Sequence, residues 1–144
     1  MSAFWRVWFF AWCLSVGLFG VVLAGGALEA TSGPVRFVLS NLHGPTPASF
    51  DATLRFSLAV MGAVSIGWAV TLFVLVRAAL DQPQNARPLW NAMSAGMATW
   101  FVIDSTLSVA TGFGLNVAPN IALAGMYVVG LLGSGALRRN GRAA

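Results

Sequence analysis

Lysine is absent. The chain of 144 residues carries eight basic side chains, all arginine, against three aspartates and one glutamate, so charged residues make up 8% of it and the formal net charge is +4. Soluble domains hold roughly 25% charged residues. The shortage leaves too little polar surface to coat a water-soluble fold of this size, while 58% of the residues are hydrophobic and the mean hydropathy is +0.78. A soluble globular protein is excluded. The pI of about 11.2 does not signal nucleic acid, because the arginines stand at the ends of apolar runs and form no basic face. No nucleic-acid partner is expected.

Cysteine and histidine are each present once. Cys13 lies inside the first apolar run, so neither an internal disulfide nor a dithiol relay can be built. His43 sits in a loop, which excludes a haem held between two histidines of one chain and a histidine-rich metal site. There is also no Ser, His, Asp constellation and no glycine-rich phosphate loop after a strand. No catalytic residue, cofactor or metal is expected.

What the sequence does have is apolar runs of the roughly 20 residues needed to cross a bilayer. The first runs from about Val7 to Leu28, with Trp5, Trp8 and Trp12 at helical spacing beside Arg6, as for a helix end held at headgroup level. A cleavable signal peptide is the competing reading. The run exceeds the usual apolar core of about 7 to 15 residues and is rich in aromatics, which favours a retained anchor. Residues 29–51 form the longest polar interruption, broken by Gly33, Pro34, Gly44, Pro45 and Pro47 around an amphipathic piece, Val35 to Leu42, suited to the interface. A second span is expected over about 56–76, bracketed by Arg55 and Arg77. A third is expected over about 89–111, begun well by Pro88, and a fourth over about 119–137 before Arg138, Arg139 and Arg142.

The fold class expected is therefore an all-α membrane protein, a single domain of four transmembrane helices running up and down. With the amino terminus in the cytoplasm, the inner faces carry Arg6, Arg77, Arg87, Arg138, Arg139 and Arg142 and the outer faces only Arg36 and Arg55. Both termini are then cytoplasmic, which requires an even number of spans. Arg138, Arg139 and Arg142 read as a stop signal, with contact to anionic headgroups as the alternative.

Helices associate in lipid through close approach of small residues. Ala59, Ala63, Gly67 and Thr71 recur every four residues in the second span; Cys13, Gly17 and Gly25 share a stripe in the first; Ala122, Gly130 and Ser134 share a face in the fourth. Packing within the chain is the preferred reading of these seams, and a homodimer on an outer face is the other.

Asp104 is the one acid well inside an apolar run. At about 1.5 Å per residue it lies some 22 Å from the inner edge. An aspartate at a helix centre costs roughly 2.5 to 3.5 kcal/mol, so it should face the bundle and find partners or take up a proton. Trp100, Asp104, Ser108 and Gly112 follow at intervals of four, Asn116 and Asn120 continue the series through the turn, and Ser105 and Thr111 add hydroxyls. Arg55 could reach down toward the acid. Two readings stay open: a structural cluster, with Asp104 accepting from Ser105, Ser108 or Arg55 while the asparagines cap helix ends, or a functional site, either a proton or cation site in the outer half of the bundle or a small ligand pocket with Trp100 as its apolar wall. Glu29 reads as solvated, with membership of the same cluster as the alternative, and Trp68 as packing.

In Arg55, Phe56, Gly62, Ala63, Gly67 and Trp68, followed by Trp100, Asp104, Ser105, Ser108, Gly112, Asn116 and Asn120, the chain resembles small uncharacterised four-helix membrane proteins of bacteria. The resemblance covers most of the last three spans. It implies a four-helix membrane fold and no particular activity. In size and helix number the chain is also similar to the DoxX-like membrane proteins. Arginine without lysine suits a bacterium with a GC-rich genome, and an inner-membrane location follows. The function expected is a structural or accessory membrane component that meets lipid and either a second copy or another membrane protein. The rival is a small proton- or cation-coupled transporter acting as an oligomer.

Overall fold

The computed structural model describes residues 1–47 and 49–137, so Arg138, Arg139 and Arg142 lie outside the described residues. Five α-helices account for most of the chain: α1 (Ala3–Ala24), α2 (Gly33–His43), α3 (Ala52–Asp81), α4 (Ala86–Ala110) and α5 (Val117–Ser134), with short 3-10 turns between them and no strand among the described residues. Several boundaries have a local cause. Asp51 caps α3, its carboxylate accepting from the Leu54 N–H at 2.7 Å. Pro34 and Pro88 sit in first turns, where no intrahelical N–H is lost. Gly112, at φ +86°, turns the chain after α4.

Three segments are long and apolar enough to cross a membrane: Ala3–Ala27, Ala52–Asp81 and Gly114–Ser134. At 25 residues, α4 is about 37 Å long. It falls short of the other three in apolarity because Asn91, Ser94, Thr99, Asp104, Ser105, Thr106 and Ser108 interrupt it.

The helices pack so that α1 touches α3 and α5, and α4 touches the same two. The closest approach is between α1 and α3. A Cβ on Gly20 would come within 2.9 Å of the Ile66 backbone nitrogen, and one on Gly62 would fall on the backbone of Ala24. The expected seam on α3 is therefore corrected: Ala63, Gly67 and Thr71 are exposed, Ala59 is half-buried, and Gly67 has nothing against it. Gly62, one position off that stripe, makes the approach. The expectations for the other two helices are met at Gly17, which faces Ala69, and at Gly130, where a Cβ would come within 2.8 Å of the Phe9 ring. Gly25 instead faces the Thr31 carbonyl.

The larger core lies in the half where α1 begins and α5 ends (the termini half) and draws on all four long helices. Phe9 and Trp12 of α1, Val76 of α3, Trp90 and Met97 of α4 and Tyr127 of α5 are buried there together. Phe9 packs on Trp90 with centroids 4.9 Å apart, and Trp12 on Tyr127 at 5.0 Å. Polar tips of these side chains are satisfied by backbone: Trp8 and Trp12 donate to the carbonyls of Met126 (2.9 Å) and Leu123 (3.1 Å), and the Tyr127 hydroxyl donates to that of Trp90 (3.2 Å). The other half holds a smaller core of Leu23, Val35, Phe50 and Leu58, to which α4 and α5 contribute no member.

Candidate functional site

Asp104 sits on α4 where that helix runs beside the start of α5. The 3-10 turn Gly114–Asn116 folds the chain back so that Asn116 and Asn120, one turn apart, both point at it. Asn120 donates from Nδ2 to Asp104 Oδ2 at 2.6 Å and to Ser105 Oγ at 3.2 Å. Asn116 donates from Nδ2 to the same Oδ2 at 2.9 Å and to Ser108 Oγ at 3.0 Å. Asn120 and Ser108 are buried, whereas Asp104, Ser105 and Asn116 are half-buried. Five of the seven residues expected from the sequence thus form one hydrogen-bonded cluster.

Trp100 and Arg55 do not join it. Trp100 lies one helical turn from Asp104 and packs on Trp68 of α3 with centroids 5.6 Å apart. Arg55 turns the other way: its Nη2 pairs with Glu29 Oε2 and its Nε donates to the Phe50 carbonyl at 3.0 Å. The asparagines also depart from expectation, since Asn116 stands at the N-cap of α5 but spends its side chain on Asp104 and Ser108 rather than on the helix end.

Two amides on one carboxylate oxygen have an energetic meaning. Hydrogen bonds to a charged acceptor contribute about 1.5 to 3 kcal/mol each, so two amides on one oxygen favour the half-buried carboxylate. The cluster lets α4 keep an acid in apolar surroundings. It can hold one proton or one hydrogen-bonding partner. No group of three or more His, Cys, Asp or Glu comes together among the described residues, and the polar groups of this cluster are one carboxylate, two amides and two hydroxyls.

No family model matches the chain, and neither the curated proteins nor the solved structures searched include a match. What the site does must therefore be argued from its own geometry.

A second polar constellation, missed in the sequence, lies at the α2 end. Glu29 bridges two arginines, Arg36 on α2 at 2.8 Å and Arg55 on α3. Arg36 also donates to Ser32 Oγ and the Pro47 carbonyl, and its guanidinium lies 4.1 Å from the Phe50 ring centroid. The hydrogen bond from Arg55 holds the Glu29 carboxyl below its ordinary range; the charges of both arginines add to this, against a smaller opposing effect of desolvation. The signal was available: an acid and two arginines around a polar interruption can close on one another. At the opposite end Arg6 pairs with Asp81 at 3.2 Å, and Arg77 lies 3.7 Å from the same carboxylate.

Proposed function

We propose that the protein is a structural or accessory component of a bacterial inner membrane, crossing it four times and acting through helix contacts rather than by conducting a solute. The observation that carries this reading is the closed aromatic and methionine core in the termini half. A path from Asp104 toward the termini would have to cross Phe9, Trp12, Trp90, Met93, Met97 and Tyr127, which are all buried against one another. On this reading α4 is the fourth span, its acid stabilised by the amide donors of Asn116 and Asn120. The outward stripe Ala63, Gly67 and Thr71 supports contact with another helix, from a second copy or another membrane protein. Cytoplasmic termini are supported by Arg6, Arg77 and Arg87 standing at the termini end, and fusions of a reporter to either terminus test this.

A second reading, a small proton- or cation-coupled transporter working as an oligomer, is favoured by one observation: only Oδ2 of Asp104 carries the two amide bonds, which leaves Oδ1 as a place for a proton. Flux in proteoliposomes separates the two. The accessory reading expects proton and sodium leak no greater than in protein-free vesicles. Flux that is present in the parent chain and lost in a folded Asp104→Asn variant would overturn it in favour of transport.

A further inference from the structure

The helix α2 is attached at its two ends to different parts of the molecule. Its beginning belongs with α1 and α3: Val35 is fully buried in the small core, and Arg36 is tied to Ser32, Pro47 and Glu29. Its last residue belongs with α4 and α5. His43 Nδ1 lies 3.0 Å from the Gly112 carbonyl oxygen, and the imidazole stacks on Phe113 with centroids 4.6 Å apart. A carbonyl only accepts, so the proton of this contact is on Nδ1.

Three further features bear on this contact. The turn that α2 lies against is Gly114–Asn116, the turn that carries Asn116 to Asp104 and Ser108. No member of the small core comes from α4 or α5, so apolar packing does not duplicate the His43 contact there. Directly after His43 the chain passes Gly44, at φ +107° with open space where a side chain would be, which is a backbone state that glycine adopts without strain.

We infer that α2 is a strap latched by His43, and that release of His43 from the Gly112 and Phe113 corner opens the Asp104, Asn116, Ser108 cluster to water and water-borne reagents from the α2 end. The strap pivots on its Val35 and Arg36 anchorage, which stays in place when the far end lifts. This concerns access to the cluster and stands apart from the accessory reading, which concerns what the cluster and the outer faces do.

Cysteine labelling in the full chain tests it. Ser108→Cys places a thiol of nearly the same size in the cluster, two residues from the end of α4, and the native Cys13 is buried and gives a background measured on the parent chain. In nanodiscs, with both faces open to a charged, membrane-impermeant maleimide, Ser108→Cys should label slowly. Adding His43→Ala should speed labelling about fivefold to tenfold, as expected for loss of one hydrogen bond and one aromatic stack. Phe113→Leu should raise it by less. Phe37→Ala, on the exposed face of α2, should leave it unchanged. Equal rates with and without His43→Ala would overturn the inference, and so would an equal rise with Phe37→Ala. If His43→Ala does not fold, His43→Gln keeps an N–H donor but loses the ring and should label about two to three times faster than the parent, consistent with partial loss of the contact; no change in it overturns the inference equally.

Discussion

The two halves of this bundle are held by different physics. In the termini half all four long helices meet around large rings and methionines, and the indole and phenol tips are absorbed by backbone carbonyls. In the α2 half the apolar core is small and belongs to α1, α2 and α3, while a carboxylate and two amides tie α4 to α5 and His43 of α2 meets the turn between them. Lipid is as apolar as leucine, so burying a side chain there brings no solvent gain, and what counts is close packing and satisfied polar groups. The first half has the packing. The second half relies on directed polar contacts, which are fewer and can be undone one at a time.

The largest effects should come from the packed half. Trp90→Ala removes a ring that is 1% exposed and lies against Phe9, and should cost about 3 to 5 kcal/mol. Its melting temperature in detergent should fall as one transition, because every long helix loses a neighbour. Val35→Ala, in the smaller core, should cost about 1 to 2 kcal/mol by the loss of two methyl groups and a small cavity. Amide exchange should rise in α2 and the adjoining loop and not in α5. A global loss equal to that of Trp90→Ala would break the comparison.

The next effect is polar. Asn120→Ala leaves Asp104 Oδ2 with one amide instead of two and should cost about 1 to 3 kcal/mol, since a hydrogen bond to a charged group is lost in a buried place. Adding Asp104→Leu to Asn120→Ala should recover part of that, because the under-bonded carboxylate is gone and Asn116, which loses its bond to Asp104, keeps Ser108 Oγ as an acceptor. Thermal melts of the two variants and of the parent decide it. If the double variant is worse than the single, the remaining bond from Asn116 to Asp104 contributes more than the unpaired carboxylate costs.

Much of this was legible from period and charge. The positions of α1, α3 and α5 follow from runs of apolar residues broken by glycine, proline and arginine, and the Asp104, Ser108, Asn116, Asn120 series follows from spacing alone. The ends were less legible: α3 extends to Ala52 and Asp81 because Asp51 caps it and helical structure continues past the apolar stretch, where hydropathy carries no information. Partner choice was less legible still. Arg55 could in principle have met either acid, and the chain fold between residues 29 and 51, which brings Glu29 and Phe50 to it, has no periodic signal. The seam on α3 was misplaced because Ala63, Gly67 and Gly62 are all small, and spacing within one helix does not say which face meets α1.

The smallest effect tests the polar half at its edge. Glu29 joins α2 to α3 through Arg36 and Arg55, and its carboxyl titrates below the ordinary 4.5 because those arginines favour the charged form. A group whose pKa is lower folded than unfolded stabilises the fold above its unfolded value and stops doing so as pH falls through its folded value. The clasp is thus complete at neutral pH, and weakens only on acidification below about 4.5. The Glu29 side chain is 56% exposed, so solvent screens the pair and the loss should be slight. Amide exchange in α2 should therefore rise modestly between pH 5 and pH 3 once corrected for the intrinsic rate, with α5 unchanged, an interval bracketing the ordinary glutamate value. In Glu29→Gln that acid-induced rise should be absent, because nothing remains to titrate at that point. A rise of the same size in Glu29→Gln would take the acid sensitivity away from Glu29 and break this part of the comparison.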